Sequence, residues 1–177
     1  MIKPTDRLLE VGSGSGLGSI FLAQHCAHVT GLDVKTTEVE EAKAINRRQN
    51  VEFVAGDLFD WPRSHAFDVV VALDVIEHLT PENGLRLLDG LVGQLKDTGM
   101  LVIGSPSVYS WPHQGALSQA SHIKCYDLDE LTAVIDRFCG RTIRFSMNDE
   151  LVHTGHSKMA WYYFVLGFMP RTQERKG

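Results

Sequence analysis

Residues Leu8-Leu9-Glu10-Val11-Gly12-Ser13-Gly14-Ser15-Gly16 run a short apolar stretch straight into a turn with glycine at every second position. The next apolar run, Val29-Thr30-Gly31-Leu32, ends in Asp33, seventeen residues after Gly16. Strand, glycine turn, helix, second strand and terminal carboxylate form the front half of a nucleotide-binding βαβ unit. Glycines let a ligand press against bare backbone. A carboxylate at the second strand's end can accept from both hydroxyls of a ribose.

The glycine spacing narrows the ligand. A dinucleotide fingerprint needs G-x-G-x-x-G or A, because a pyrophosphate rests on the helix N-terminus. Counting from Gly12 and Gly14, the third position is Leu17; counting from Gly14 and Gly16, it is Ser19. Neither register fits. Asp33 alone would suit a nicotinamide-dependent oxidoreductase, and that alternative rests on this carboxylate.

The chain has 177 residues, the length of one domain with a full core. Net charge is −5, which disfavours a nucleic-acid partner, because a basic groove shows as a positive balance. Cys26, Cys125 and Cys139 are odd in number and far apart, so they suggest neither a disulfide framework nor zinc spacing; a reducing, cytoplasmic setting is expected. The apolar run Met159 to Met169 is too short for a membrane helix, which needs about 20 residues. Trp161-Tyr162-Tyr163-Phe164 with Arg171, Arg175 and Lys176 could form an interfacial anchor, but the run has strand character, so a buried strand and a solvated tail are expected, and no membrane partner.

Apolar runs predict strands at Arg7–Val11, His28–Asp33, Val51–Ala55, Phe67–Ala72 and Met100–Gly104, and two more near Thr142–Met147 and Lys158–Phe168. Helical patterns fall at Leu17–Ala27, Thr37–Arg47, Pro81–Lys96 and Leu128–Phe138. In the third, Leu85, Leu88, Val92 and Leu95 share a face, Thr80 is a natural N-cap and Pro81 sits in the first turn. Asp127 with Glu130 has capping-box spacing. The alternation implies a parallel sheet with helices on both faces. Ser105–His122, with Pro106, Pro112 and Gly115, is predicted as a long lid-like or binding loop.

Ligands of such sheets bind beyond the carboxyl ends of the strands. Those ends carry Gly12–Gly16, Asp33, Gly56-Asp57-Leu58, Leu73-Asp74-Val75-Ile76-Glu77-His78 and Ser105-Pro106. The ordered set resembles a class I S-adenosylmethionine (SAM) methyltransferase, of the type that includes ubiquinone-biosynthesis O-methyltransferases. The resemblance rests on Glu10–Gly16, Gly31-Leu32-Asp33, Gly56-Asp57-Leu58, Phe67-Asp68-Val69-Val70-Val71, Val75-Ile76-Glu77-His78-Leu79 and His122-Ile123-Lys124-Cys125-Tyr126. It implies a Rossmann-like, doubly wound, mostly parallel seven-stranded sheet of order 3-2-1-4-5-7-6 with the last strand antiparallel.

It also implies residue roles. Gly12, Ser13 and Gly14 would line the methionyl part of SAM and Asp33 would bind the ribose hydroxyls, with Gly16 and Val34 also counted as cofactor-binding. Asp57 would accept from the adenine amino group and Leu58 would donate its N–H. Leu73 would lie by the cofactor, and Glu10 would order the loop or reach the amino group through water. Asp33 could instead cap a helix, and Asp57 could simply open a turn. Asp68 is assigned no function.

Methyl transfer is an in-line displacement at carbon, so positioning supplies much of the rate. An oxygen or nitrogen acceptor must also lose a proton, which histidine can take near neutral pH. His78 and His122 are therefore the catalytic candidates. Glu77, Tyr109, Trp111 and Tyr126, with His113 nearby, are expected on the side of a small-molecule acceptor. His153 and His156 lack an evident third ligand, so they are read as loop residues and no metal is expected.

Members of the family usually carry a helical extension before the first strand, whereas here that strand begins almost at Met1. Residues 1–177 are accordingly read as a single SAM-methyltransferase domain without that extension. Its pocket would be open, closed by a partner subunit such as a second copy in a homodimer, or cut away by truncation. A non-catalytic SAM-binding module is the alternative this departure raises.

Overall fold

The computed structural model describes residues 1–148, 151–153 and 156–171. Eight strands form one sheet: β1 (Arg7–Val11), β2 (His28–Asp33), β3 (Val51–Ala55), β4 (Phe67–Leu73), β5 (Leu95–Pro106), β6 (Cys139–Asn148), β7 (Leu151–His153) and β8 (Tyr162–Pro170). Their order is β3-β2-β1-β4-β5-β8-β6-β7. Without the three-residue β7 at the edge, this is the expected seven-stranded order. The β1–β5 pairings are parallel, and β8 runs antiparallel between β5 and β6. Five helices accompany the sheet: α1 (Leu17–Leu22), α2 (Thr36–Ile45), α3 (Pro81–Val92), α4 (Ala116–Ser121) and α5 (Leu128–Ile135).

The central strands read as unbroken apolar runs because both sheet faces are covered. Successive side chains go to opposite faces. Leu9, Val11, Val70 and Ala72 pack in one core layer with Leu88 and Leu91 of α3 and Leu131 and Ile135 of α5. Leu8, Val69 and Val71 pack in the other with Val39 and Ala42 of α2 and with Phe53. These layers make a rigid floor, and the strand ends that could bind a ligand all open at one rim.

Several boundaries differ from the sequence expectation. α3 begins as predicted, with Thr80 Oγ1 accepting from Asn83 N at 3.3 Å and Pro81 in the first turn. It stops at Val92, and Leu95 starts β5; its burial continues the helical stripe only by coincidence of spacing. Asp127 caps α5 by accepting from Glu130 N at 2.8 Å, but the reciprocal half of the box is missing, because Glu130 pairs with Lys124 at 2.7 Å. Ser105–His122 is not a plain loop: it holds a 3-10 turn at Trp111–His113 and α4. β8 begins at Tyr162, after a 3-10 turn at Ser157–Met159, and buries Tyr163, Val165 and Leu166. His153 ends β7 rather than lying in a loop. Arg175 and Lys176, the basic tail, lie outside the described residues. No helix among the described residues is long and apolar enough to cross a membrane.

Candidate functional site

The turn after β1 is built by left-handed backbone. Gly12, Gly14 and Gly16 have φ of 76°, 49° and 82°, a region that side chains resist. Gly12 N and Ser13 N both donate to Leu32 O, at 2.8 and 3.1 Å. Gly14 N donates to Asp33 Oδ2 at 2.8 Å, and Lys35 N donates to Oδ1 at 2.9 Å. Asp33 thus ties the glycine turn to the end of β2. Each oxygen can accept a further hydrogen bond, and Asp33 lines the cleft above the turn. Asp33 is not the N-cap of α2, which is Lys35.

A cleft of about 690 Å³ opens over this turn. Val11, Gly12, Asp33, Val34, Asp57, Leu58, Phe59 and Val75 are among its walls. Asp57 accepts from Phe59 N at 2.9 Å and so opens a 3-10 turn, while still lining the cleft. Arg86 covers the far side of the Phe59 ring, 4.4 Å from its centre. The apolar walls with Asp33, Asp57 and Asp74 suit a nucleoside with its ribose at Asp33.

Five predicted cofactor residues, Glu10, Ser13, Gly14, Gly16 and Leu73, are not among this cleft's walls. Glu10 is buried and accepts from Ser19 Oγ of α1, so it orders the loop. Burial raises its pKa, with the Ser19 bond partly opposing. Gly16 is a packing glycine: a Cβ there would lie 2.5 Å from the Phe53 ring and 2.7 Å from Ala42 Cβ. Leu73 packs against the α2-side core layer, and the cleft wall is taken by Asp74 and Val75 instead.

A second cavity, about 630 Å³, adjoins the first and is lined by Pro106, Ser110, Gln114, Leu117, His122 and Trp161, among others. Both cavities share Asp74, His78 and Ser121. The α4 segment places its last residues against the turn that follows β4. His78 Nδ1 lies 3.0 Å from Ser121 O. A carbonyl only accepts, so Nδ1 carries the proton, and the neutral ring presents a lone pair at Nε2. The His78 and His122 rings meet edge to face, with centroids 4.9 Å apart.

Glu77 lies under these rings with no exposed surface. Its backbone carbonyl accepts from Ile123 N at 2.7 Å and Lys124 N at 3.0 Å, which docks the segment after α4. Its Oε2 accepts from Ser105 Oγ at 3.1 Å. Burial above all, and then the Asp74 charge, push its pKa up to about 7 against local hydrogen bonds. Burial and the neighbouring His78 lower the pKa of His122, with Asp74 opposing. Glu77 Oε1, His122 Nδ1 and Gln114 Oε1 are buried without a hydrogen-bond partner among the described residues. Ligand atoms of Glu77, His78 and His122 lie within 4.8 Å of one another, so the fold assembles a carboxylate-and-imidazole set that could hold a divalent cation. Spacing along the chain gave no sign of it.

The expected acceptor-side aromatics are only partly at this cavity. Tyr126 is a core residue, with its hydroxyl against Gly84 of α3. Tyr109 and Trp111 are half-exposed and line neither cavity, and the wall comes from Trp161, whose ring meets His113 at 5.7 Å. Asp74 stands in the strand-end segment that the sequence marks, but without an assigned role. Its one sequence signal is position, a lone carboxylate directly after an apolar strand, as with Asp33. It has φ of 55°, rare for a side-chain-bearing residue.

Comparison with known proteins agrees with this geometry. Residues 8–99 match the family model described as a methyltransferase domain. The chain is 31% identical over 100 residues to a ubiquinone biosynthesis O-methyltransferase of Rickettsia felis, covering 55% of this chain and 40% of that protein. It is 29% identical over 106 residues to a phosphoethanolamine N-methyltransferase of Plasmodium falciparum, covering 58% and 40%. These matches thus span well under half of either relative's length. Among solved structures, the N-methyltransferase NodS of Bradyrhizobium japonicum, in complex with S-adenosyl-L-homocysteine, superposes with a TM-score of 0.73 at 19% identity, covering 94% of this chain and 80% of that one. The family match sets aside the nicotinamide alternative and bears out the resemblance carried by the ordered motifs: the chain belongs to the methyltransferase-domain family.

Proposed function

We propose that this domain transfers the methyl group of SAM to a hydroxyl oxygen of a small acceptor. The observation that carries the reading is the meeting of two cavities at Asp74, His78 and Ser121. One cavity has the glycine turn and Asp33 of a nucleoside site; the other has polar groups and a tryptophan wall. A donor in the first and an acceptor in the second would face each other across the shared residues.

In this reading Gly12, Ser13 and Gly14 border the methionyl part, Asp33 and Val34 the ribose, and Asp57 and Leu58 the adenine. Glu10 and Gly16 hold the loop from behind. The acceptor oxygen attacks the methyl carbon, the carbon–sulfur bond breaks, and the sulfonium leaves as a neutral thioether. The hydroxyl proton passes to His78 Nε2, the lone pair left free by the Ser121 bond. His122, held toward its neutral form, supplies a second acceptor. A hydroxyl needs such a base, and similarity to the ubiquinone biosynthesis O-methyltransferase of Rickettsia felis supports oxygen as the target.

A second reading of the same centre follows from its unpartnered buried atoms. A divalent cation on Glu77, His78 and His122 would polarise the acceptor hydroxyl and ease its ionisation. Calorimetric titration with S-adenosylhomocysteine tests the cofactor, with NAD as comparison. Release of S-adenosylhomocysteine from SAM with catechol, phenol, benzyl alcohol or phosphoethanolamine, with and without EDTA and added Mg²⁺ or Mn²⁺, tests the acceptor and the cation. Turnover of phosphoethanolamine alone would move the proposal from oxygen to nitrogen. SAM binding without turnover of any acceptor would favour a binding module.

A further inference from the structure

Tyr162 stands on β8, opposite Pro106 of β5, and the residue two positions on, Phe164, is opposite Gly104. Gly104 is in turn paired with Leu73 at the end of β4. A Cβ at Gly104 would lie 2.6 Å from the Tyr162 hydroxyl oxygen, 2.8 Å from its Cε1 and 2.6 Å from Leu73 Cδ2. The tyrosine ring therefore fills the space that any other residue at 104 would need. Across that gap its hydroxyl lies beside Leu73 and comes within interaction range of Asp74, the next residue along. The Phe164 ring, 5.0 Å away, supports it from its own strand.

Asp74 needs such a hold. Its φ of 55° is strained for a residue with a side chain, and its N–H donates to Gly104 O at 3.1 Å. Asp74 borders both cavities alongside His78 and Ser121. Burial and the nearby carboxylates Asp74 and Glu77 keep the Tyr162 hydroxyl protonated, so it donates and the carboxylate accepts.

We propose that Tyr162 is a positioning residue of the methyl transfer: reaching over Gly104, its hydroxyl fixes the Asp74 carboxylate at the junction of the cofactor cleft and the acceptor cavity. The role rests on the transfer reading above, but the contact itself does not. Tyr162 lines neither cavity, so it acts through Asp74. It also belongs to a strand outside residues 8–99, which match the family model, so this chain's later half would complete the centre that its first half begins.

The test is a double-mutant cycle of the parent, Tyr162→Phe, Asp74→Asn and the double variant. Equilibrium unfolding needs no acceptor and reads the contact directly. The Tyr162–Asp74 coupling should change the folding equilibrium by about threefold or more, and additive single effects would overturn the proposal whatever the activity. With the most active acceptor of the panel, Tyr162→Phe should lower kcat roughly 10-fold or more, with KM for SAM and S-adenosylhomocysteine affinity little changed. In the Asp74→Asn background the same substitution should change kcat no further. Equal kcat for parent and Tyr162→Phe, or an equal loss in both backgrounds, overturns the positioning role. Gly104→Ala, which crowds the ring, should reproduce the Tyr162→Phe loss. If the parent turns over no acceptor, the transfer reading fails, and the unfolding cycle still decides whether Tyr162 holds Asp74.

Discussion

The imidazoles of His78 and His122 come from the turn after β4 and the end of the α4 segment, yet meet edge to face with centroids 4.9 Å apart. One ring is oriented by the Ser121 carbonyl, and the other keeps a buried Nδ1 without a partner among the described residues. His78→Ala should spare S-adenosylhomocysteine binding and lower turnover by about 10²–10⁴-fold, the range of a general base. His122→Ala should act in the same direction, and the double variant should lose less than the product of the two, because the rings share one proton site. Turnover of both single variants at the parent's rate would remove histidine from the mechanism.

Asp33 joins Gly14 and Lys35 through two backbone hydrogen bonds. Asp33→Ala removes the ribose acceptor and unties the glycine turn together. Loss of charge-assisted hydrogen bonds should weaken S-adenosylhomocysteine binding by about 1–3 kcal/mol, or roughly 5- to 150-fold in calorimetry. Asp33→Asn keeps an acceptor at one position and should lose less. Unchanged affinity in Asp33→Ala would place the ribose elsewhere.

Gly14 and Gly16 look alike in sequence and differ in surroundings. A Cβ at Gly14 meets nothing within 4 Å, whereas one at Gly16 strikes Phe53 and Ala42. Gly16→Ala should therefore cost about 2–4 kcal/mol in urea unfolding, from left-handed strain plus overpacking. Gly14→Ala carries the backbone strain alone and should cost about 1–2 kcal/mol. Its larger effect should be on S-adenosylhomocysteine affinity. The opposite ranking in unfolding would mean that Gly16 is not the packing glycine.

The legible parts of the chain were those set by neighbours in sequence. β1 and β2 could be read because strands buried on both faces become nearly continuous apolar runs, and the edge strand β3 because buried Val51 and Phe53 flank exposed Glu52. The Gly12–Gly16 turn and Asp33 could be read because the turn and strand end are local. Leu95 misled because it continues a helical stripe although Gly93 and Gln94 have already turned the chain into β5. α4 was missed because Ala116–Ser121 has only Leu117 as a large apolar residue, and that residue is exposed. Tyr126 read as an acceptor contact because position along the chain does not say which way a ring turns. Glu77, Ser105 and His122 converge from three separate segments, and Tyr162 reaches Asp74 only because β8 inserts beside β5. Such contacts belong to topology and carry no local pattern.

Glu77 makes this convergence measurable through pH. Its folded pKa is pushed up to about 7, from an ordinary value of 4.5, chiefly by burial. Below pH 4.5 the carboxyl is protonated in both states and costs nothing. Between 4.5 and about 7 the unfolded chain releases the proton while the folded chain holds it, so this group's contribution falls as pH rises. Above 7 the penalty levels off at on the order of 3 kcal/mol. In EDTA-treated protein, Glu77→Gln should remove that slope, so that the variant gains on the parent between pH 5 and 8 in urea unfolding. A cation on Glu77, His78 and His122 would offset the same penalty by neutralising the buried carboxylate. Added Mn²⁺ should then raise the parent's Tm at pH 7.5, by about 2.7 kcal/mol of stabilisation at a hundredfold excess over Kd, and leave Glu77→Gln nearly unmoved. An equal rise in both proteins would locate the ion elsewhere, and a parent whose stability stays flat over this range would mean that Glu77 is not held protonated by burial.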